Sequence, residues 1–285
     1  MSLHSWKDFR LYVITGENYH TGRSLVDVME QTLLGGADMV QLRAKDLSKR
    51  EVLAQAYTLR KLTDRYNVPL IINDYLDVAL AVQADGVHLG QDDLPLKEAR
   101  RILGPAAIIG ISTHHIDQAL DAERDGADYI GVGPVYPTGT KAGRKAVTTD
   151  YVREVAKQVK IPWVAIGGIT LGNVGEVIAA GASRVCAVSA IVGSEHVAET
   201  CRSFRTALTG QQGAGGSGET RTIRINGRNE QTNAQSVHAL MEQLGFAGKR
   251  MVVELNGVII AREAWHTALL EQGASLELVH FVGGG

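Results

Sequence analysis

The segment GGADMVQLR, residues 35–43, joins a glycine pair to a short apolar run that ends in polar residues. Related segments, QADGVHLGQ, DGADYIGVG and AGASRVCAV, begin at residues 83, 125 and 180. Each predicts a helix that ends at a glycine-containing junction and is followed by a buried strand, and the intervals fit two βα units. Either the chain contains a true repeat, or every junction from helix to strand requires such a glycine. Both interpretations make these strands the second, fourth, sixth and eighth.

Short apolar runs alternate with longer amphipathic ones over the first 209 residues. Helical patterns such as SLVDVMEQTLL (24–34) and REVLAQAYTLRKLTDRY (50–66) separate the strands. This alternation indicates parallel strands with right-handed crossovers, and eight strands favour a closed (β/α)8 TIM barrel, an α/β fold of about 200 to 250 residues. The predicted strands are LYVIT (11–15), MVQLR (39–43), PLIIND (69–74), GVHLG (86–90), AIIGIS (107–112), YIGVG (129–133), WVAIGG (163–168) and RVCAVS (184–189).

The composition changes at residues 210–220, which read GQQGAGGSGET. Small polar residues of this kind form flexible linkers because they cannot build a core. We therefore predict a TIM-barrel domain at 1–209, a linker at 210–220 and a second domain at 221–285. The linker is equally consistent with a natural fusion and with an engineered join.

The second domain carries two hairpin signals, Asn226-Gly227 and Asn256-Gly257, each between strand-like runs. Asn-Gly favours a type I′ turn, in which both central residues have positive φ. A helical pattern at 236–245, with Ser236 as its N-cap, and a further strand at 276–282 complete the set. The order predicts a small α+β domain of the β-grasp, ubiquitin-like type.

The bulk composition excludes several classes of protein. A formal net charge of −2 gives no basic excess for nucleic acid or an anionic membrane, and we expect neither partner. The chain contains 2 cysteines, Cys186 and Cys201, without metal-ligand spacing, which fits reduced thiols in a cytoplasmic protein. No apolar run approaches the roughly 18 residues of a membrane span.

Polar side chains follow the predicted strands of the barrel. In a TIM barrel the carboxyl ends of the strands surround one mouth, and alternate residues of a strand share a face. Gln41 and Arg43 can therefore point at the same mouth. The polar residues that follow the second to fifth strands are Gln41, Arg43, Lys45, Asn73, Asp74, His88, Gln91, Asp92, Asp93 and Ser112.

Carboxylates beside cations suggest a metal-bound diphosphate. Acids alone would repel a phosphate, whereas Mg²⁺ takes one or two carboxylate oxygens together with phosphate oxygens and waters. Asp74 and Asp93 suit the metal, and Arg43, Lys45 and Lys141 would neutralise the diphosphate. A competing interpretation makes Asp74 the N-cap of the following helix.

A second anion site is predicted after the seventh and eighth strands. The turns at Gly167-Gly168 and Ser189-Ala190 lie where many barrels bind phosphate through backbone N–H groups. One diphosphate and one monophosphate indicate a transfer that joins two phosphorylated small molecules and releases Mg-bound pyrophosphate. Electrostatic stabilisation of the departing charge would be the main catalytic effect.

These motifs are together similar to those of a known family. The chain from about residue 11 to 207 resembles thiamine phosphate synthase. The family uses a (β/α)8 barrel to transfer the alkyl group of hydroxymethylpyrimidine diphosphate to thiazole phosphate, giving thiamine phosphate and pyrophosphate. Its mechanism is dissociative, so pyrophosphate would depart before the thiazole nitrogen attacks. The segments that carry the resemblance are QLRAKD, IIND, GVHLGQDD, GISTHH, GPVYPTGTKAG, AIGGI and AVSAI.

The resemblance also implies roles for individual residues. His88 is as consistent with a structural as with a catalytic histidine, and it stays outside the predicted catalytic set. The implied roles are catalytic diphosphate contacts for Arg43, Lys45, Ser112 and Lys141, pyrimidine or diphosphate contacts for Gln41 and Asn73, Mg²⁺ ligation for Asp74 and Asp93, and thiazole phosphate contacts for Thr138, Thr140, Gly168, Val188 and Ser189.

The second domain resembles the sulfur carrier of thiamine biosynthesis through NGVIIAREAW and LELVHFVGGG. A glycine end lacks Cβ atoms and can enter a narrow enzyme channel. The resemblance implies that Gly284 and Gly285 form the functional end, adenylated by an E1-like enzyme and then thiocarboxylated. A separate thiazole synthase would receive the sulfur.

Two rival functions stay open. A thiazole tautomerase has a similar barrel, but it should lack the diphosphate cations and the metal carboxylates. In the other alternative, the barrel is an inactive scaffold and only the carrier is active. Family members commonly associate, so the resemblance also allows a homo-oligomer. The sequence contains no recognisable interface.

Overall fold

The computed structural model describes residues 6–16, 19–20, 22–138, 146–210, 221–232, 234, 236–244, 246, 251–265 and 268–280. The chain forms two compact units, Met1–Gly210 and Gln211–Gly285. We call them the barrel unit and the C-terminal unit.

The barrel unit contains a closed parallel barrel in which each strand pairs with the next along the chain and the last pairs with the first. All the strands predicted from the sequence are present, so the predicted TIM barrel is confirmed. The eighth predicted strand is shorter than expected because Ser189 already begins a helix. The strands are β1 (Leu11–Ile14), β2 (Met39–Leu42), β3 (Leu70–Asn73), β4 (Gly86–Leu89), β5 (Ile108–Thr113), β6 (Tyr129–Val132), β7 (Trp163–Ile166) and β8 (Val185–Ala187).

Helices connect these strands and cover the barrel. Ser48 begins the longest of them in a capping box, where its side chain and that of Glu51 each pair with the other residue's backbone N–H. The helices are α1 (Leu25–Leu34), α2 (Lys49–Tyr66), α3 (Leu76–Val82), α4 (Leu96–Leu103), α5 (Ile116–Arg124), α6 (Thr148–Gln158), α7 (Val174–Ala179), α8 (Ser189–Val192) and α9 (Val197–Thr209).

Barrel strands are buried on both faces, which explains their apolar sequences. Every residue of β1, β2 and β3 is buried. One face of each strand packs against the helices, and the other fills the barrel interior. At the bottom of the interior Phe9, Tyr12 and Tyr129 pack edge to face, with ring centroids 5.9 to 6.1 Å apart.

An aspartate in three of the repeated segments has the same structural role. It stands directly before an even-numbered strand, accepts a backbone N–H at the start of the preceding odd-numbered strand, and pairs with an arginine. The fourth segment carries Arg184 instead. This recurrence supports a true repeat of two βα units. The three sets are Asp38 with Leu11 and Arg205, Asp85 with Leu70 and Arg60, and Asp128 with Ile109 and Arg100.

The glycines of these segments were expected to end helices, and in three segments they do. Gly36, Gly126 and Gly181 have φ values of +91°, +90° and +109°. In the second segment Gln83 adopts the left-handed conformation, with φ of +52°. Gly86 instead clears space for a neighbouring strand, because a Cβ there would lie 1.8 Å from the carbonyl oxygen of Ile108.

The C-terminal unit is a mixed sheet with a helix packed against it, which confirms the predicted ubiquitin-like fold. Both Asn-Gly turns have positive φ at each residue. The sheet order is β10-β9-β13-β11-β12, with β9 and β13 parallel at its centre. The elements are β9 (Arg221–Ile225), β10 (Arg228–Thr232), α10 (Val237–Gln243), β11 (Met251–Leu255), β12 (Val258–Ile260) and β13 (Ser275–His280).

Among the described residues, no helix has the length and apolar character that crossing a membrane requires.

Candidate active site

A central cavity opens at the carboxyl ends of the barrel strands. Small-molecule ligands of TIM barrels bind at this end of the strands. Its floor contains Tyr12 and Cys186. Residues predicted from the sequence that line it are Gln41, Arg43, Asn73, Ser112, Thr138, Gly168, Val188 and Ser189.

A second, more polar cavity adjoins the first, and we call it the rim cavity. It contains the cation Lys45 and the predicted metal ligands Asp74 and Asp93. Arg43, Asn73 and Ser112 line both cavities and thus form the wall between them. The remaining residues of the rim cavity are Gly90, Gln91 and Asp92.

Asp74 turns from β3 into the rim cavity through an uncommon backbone conformation. Its φ is +61°, and its N–H donates to the carbonyl oxygen of His88 at 3.0 Å. The N-cap of α3 is Tyr75, so Asp74 is not the helix cap that the sequence left open. Its carboxylate lies 3.1 Å from Nζ of Lys45. Burial raises the pKa of Asp74, and contact with Asp93 acts in the same direction, while Lys45 opposes both.

Asp93 enters the same cavity from the loop after β4. One of its oxygens, Oδ2, accepts the N–H of Gly90 at 2.6 Å, which fixes the carboxylate close to the backbone. Asp74 and Asp93 are near enough to share a hydrogen bond. Two acids in contact repel each other when both are ionised, so a cation beside them would stabilise the pair.

The Gly167-Gly168 turn lines the central cavity at the end of β7. Both residues have positive φ, +99° and +65°, which favours glycine. The sequence predicted glycine here so that a ligand could approach the backbone. A second reason is close packing, because a Cβ on Gly168 would lie 2.7 Å from the carbonyl oxygen of Pro137.

His88 occupies the interior of the barrel between two hydroxyl groups. Its Nδ1 lies 2.9 Å from Oη of Tyr129, and its Nε2 lies 2.9 Å from Oγ of Ser112. His88 is therefore packed and hydrogen-bonded, and it also contacts a predicted substrate-binding residue.

Sequence reasoning did not single out Tyr12, Tyr129 or His114. The two tyrosines were counted only as strand residues. His114 lies within GISTHH, lines the central cavity and donates from Nδ1 to the carbonyl oxygen of Gly133 at 2.5 Å. A signal for Tyr129 lies in the neighbouring strand, because Gly110 of AIIGIS leaves the room that the Tyr129 ring occupies.

Four predicted residues, Thr140, Lys141, Gly284 and Gly285, lie outside the described residues. Within the described ranges, no cluster of three or more His, Cys, Asp or Glu side chains could hold a metal ion. The two-acid arrangement of Asp74 and Asp93 nevertheless fits Mg²⁺, which often takes one or two carboxylates.

Comparison with known proteins decides the family. Residues 11–191 match the family described as thiamine monophosphate synthase. The chain belongs to that family. Thiamine-phosphate synthase of Halalkalibacterium halodurans is 58% identical over 210 residues, which cover 73% of this chain and 99% of that protein. The enzyme of the same name from Chloroflexus aurantiacus is 46% identical, over 73% of this chain and 97% of that protein.

A solved structure agrees with the sequence relatives. Thiamine phosphate pyrophosphorylase from Pyrococcus furiosus matches with a TM-score of 0.66 and 38% identity, over 72% of this chain and 98% of that one. The resemblance of the barrel unit to thiamine phosphate synthase is confirmed, and with it the assignment of this unit as a transferase. Residues 219–285 match the ThiS family, which confirms the resemblance of the C-terminal unit to the sulfur carrier.

Proposed function

We propose that the barrel unit joins hydroxymethylpyrimidine diphosphate to thiazole phosphate and releases pyrophosphate with the help of Mg²⁺. The observation that carries this proposal is the shared wall of Arg43, Asn73 and Ser112 between two chemically different cavities. A ring in the central cavity and a diphosphate in the rim cavity would place the carbon–oxygen bond that breaks at this wall.

The rim cavity has the charges that a metal-bound diphosphate requires. Asp74 and Asp93 would hold the metal, and Arg43 and Lys45 would contact the diphosphate oxygens. Bound Mg²⁺ would neutralise negative charge on the leaving pyrophosphate. Lys141, predicted from the sequence, would add a further cation.

The central cavity suits a flat heteroaromatic ring. Gln41 has an amide that can both donate and accept, which matches a pyrimidine edge. Nε2 of Gln41 already donates to Oη of Tyr12 at 2.6 Å, so its orientation is fixed before a substrate enters. A preoriented amide binds at a lower entropic cost than a mobile one.

The opposite wall of the central cavity would receive the thiazole phosphate. Backbone groups at Gly168, Val188 and Ser189 and the hydroxyl of Thr138 border it, and Thr140 is the further predicted contact. Binding the second substrate there would aim its ring nitrogen at the wall between the cavities. The nitrogen would form the new bond to the methylene carbon after the oxygen of pyrophosphate has left.

This arrangement suits a dissociative reaction. The chain would stabilise the negative charge that accumulates on the departing diphosphate, using cations and hydrogen-bond donors that are already in place. It would also hold the two rings close together, which converts a reaction between two molecules into an effectively intramolecular one.

For the C-terminal unit we propose the role of a sulfur carrier. An E1-like enzyme would adenylate the carboxylate of Gly285, and sulfur would replace the adenylate to give a thiocarboxylate. A thiazole synthase would then receive the sulfur. The ThiS-family match over residues 219–285 supports this role.

A synthase assay with both substrates, run with and without Mg²⁺, tests the proposal. We expect Asp93→Asn to raise the Mg²⁺ concentration needed for half-maximal activity, because one metal carboxylate is lost. The control is Asp121→Asn, whose carboxylate pairs with Arg124 on the surface of α5 at 2.7 Å. An unchanged Mg²⁺ dependence of Asp93→Asn would contradict the metal assignment.

The same assay separates the rival functions. A wild-type protein that releases no pyrophosphate but isomerises a thiazole substrate would be a tautomerase. If the barrel is inactive in both assays while the terminus becomes thiocarboxylated, the scaffold alternative holds. The cations and acids around the rim cavity favour the synthase.

A further inference from the structure

A continuous chain of hydrogen bonds crosses the interior of the barrel. It begins at Gln41, whose Nε2 lies 2.6 Å from Oη of Tyr12. Oη of Tyr12 lies 3.0 Å from Oη of Tyr129, which lies 2.9 Å from Nδ1 of His88. Nε2 of His88 then lies 2.9 Å from Oγ of Ser112. We call this chain the relay.

The amide at one end gives the relay a single direction. An amide N–H can only donate, so Oη of Tyr12 accepts from Gln41. Of the two hydrogen-bond partners of this hydroxyl, Gln41 is the donor, so the hydrogen of Tyr12 goes to Oη of Tyr129. Leaving a buried hydroxyl without an acceptor would cost about 1–3 kcal/mol.

The direction continues through the imidazole. Tyr129 accepts from Tyr12, so its own hydrogen goes to Nδ1 of His88. Nδ1 then carries no proton in the neutral ring, and Nε2–H donates to Oγ of Ser112. The serine oxygen accepts from His88, and its own hydrogen points away from the histidine.

Glycines in the barrel strands leave the space that the relay occupies. Gly110 lies between His88 and Tyr129 in the strand register. A Cβ at Gly110 would lie 2.1 Å from Cζ of Tyr129, and a Cβ at Gly131 would lie 3.4 Å from Cε1 of His88. Aliphatic side chains could fill this interior at a lower desolvation cost than two phenols.

Both tyrosines stay protonated and can donate. Tyr12 and Tyr129 are almost completely buried, and burial raises the pKa of each hydroxyl above its ordinary value. Neither group can supply negative charge to the cavity near neutral pH. Their polar atoms therefore act through the direction of their hydrogen bonds.

We propose that His88 is a positioning residue, held by the relay as the Nε2–H tautomer so that the hydroxyl of Ser112 donates its hydrogen to the leaving diphosphate. This inference rests on the proposed function, in which Ser112 contacts that group. The relay would also connect Gln41, at the ring of the first substrate, with Ser112, at its diphosphate.

The tautomer can be measured directly on the full chain without substrate. Histidines labelled with ¹⁵N report by NMR which ring nitrogen carries the proton, and His88→Gln identifies the signals of His88. We expect wild-type His88 to be protonated at Nε2 alone. In Tyr129→Phe the ring contacts remain but the donor to Nδ1 is lost, so the Nδ1–H tautomer should become populated. A wild-type ring protonated at Nδ1, or a tautomer unaffected by Tyr129→Phe, would overturn the proposal.

A double-mutant cycle tests whether the relay acts through Ser112. We expect Tyr129→Phe to lower kcat about two- to tenfold, the effect of one hydrogen bond, and to have no further effect in Ser112→Ala. The control is Tyr151→Phe, which removes a buried phenol hydroxyl that donates to Oγ1 of Thr113 at 2.7 Å outside the relay. If Tyr129→Phe lowers kcat in the Ser112→Ala protein as much as it does in the wild type, the positioning role is overturned. The same holds if Tyr129→Phe lowers kcat no more than Tyr151→Phe does.

Failure of the inference and failure of the proposed function give different results. A wild-type protein that has the Nε2–H tautomer but forms no thiamine phosphate would overturn the function, and the positioning role with it. An active wild-type protein with the Nδ1–H tautomer would overturn only the relay. The tautomer and the synthase activity are both measured on the wild-type protein, and only the identification of the His88 signals uses a variant.

Discussion

Nζ of Lys45 lies 3.1 Å from Oδ2 of Asp74, so one cation from the segment after β2 faces one acid from the end of β3. Asp74 is also in contact with Asp93, and Lys45 balances only one of these two carboxylates. A divalent cation would supply the missing positive charge and would leave Lys45 available for a diphosphate oxygen. The rim cavity, lined by Arg43 and Lys45 as well as by Asp74, Asp92 and Asp93, thus has the charges that the proposed metal and diphosphate would use.

Lys45→Gln should raise the KM for the pyrimidine diphosphate about tenfold, the effect of losing one charge-assisted hydrogen bond. Lys49→Gln is a close control because Lys49 has a similar exposure and pairs with Asp77 at 2.8 Å, but it lines neither cavity. Steady-state kinetics at saturating Mg²⁺ would measure both. Equal KM values for the two variants would show that Lys45 does not contact the diphosphate.

Gly168→Ala should weaken binding of the thiazole phosphate. The positive φ of Gly168 strains any other residue, and the added Cβ would displace the segment that contains Pro137. We expect the KM for this substrate to rise about tenfold, equivalent to roughly 1.4 kcal/mol. Gly126 also has a positive φ, +90°, but a Cβ there would meet nothing within 4 Å. Gly126→Ala should lower stability without changing the KM for the thiazole phosphate. An equal rise in that KM would show that the effect of Gly168→Ala does not arise from contacts at the cavity.

Most of the barrel could be predicted from the sequence because its strands are apolar on both faces and alternate with amphipathic helices. The predicted site residues cluster for a related reason, since the ends of parallel strands meet at one mouth. Gln41, Arg43 and Ser112 could therefore be placed at the same cavity from the sequence alone.

Contacts across the barrel interior could not be predicted in this way. Tyr12 and Tyr129 are 117 positions apart, and their hydroxyl contact depends on how the strands close the barrel. The role of Gly86 was also misjudged, because a glycine beside a helix end and a glycine beside a neighbouring strand look alike in sequence. Only the strand register distinguishes the two.

Asp85→Ala should lower the free energy of unfolding by about 2 kcal/mol, since it removes charge-assisted hydrogen bonds. The carboxylate accepts from the N–H of Leu70 at 2.7 Å and from Arg60 at 2.6 Å, at the start of the strands and away from both cavities. Asp64→Ala is the control, because Asp64 pairs with the same arginine at 2.6 Å but is far more exposed. Urea unfolding would measure stability. If both variants lose the same free energy, the backbone contact of Asp85 contributes nothing.

Removal of Gly284 and Gly285 should abolish adenylation of the C-terminal unit and leave synthase activity unchanged. The activating enzyme must reach the terminal carboxylate. A chain that ends at Gly283 lacks the two glycines that allow this end to enter a narrow enzyme channel. The barrel unit forms its own core, so its kinetics should not depend on the last residues. Mass spectrometry after incubation with an E1-like enzyme, ATP and a sulfur donor would detect the thiocarboxylate. The matched control replaces Gly283 with Ala and keeps the last two glycines, and it should still be adenylated. Thiocarboxylation of the shortened chain would contradict the assignment of Gly284 and Gly285 as the functional end.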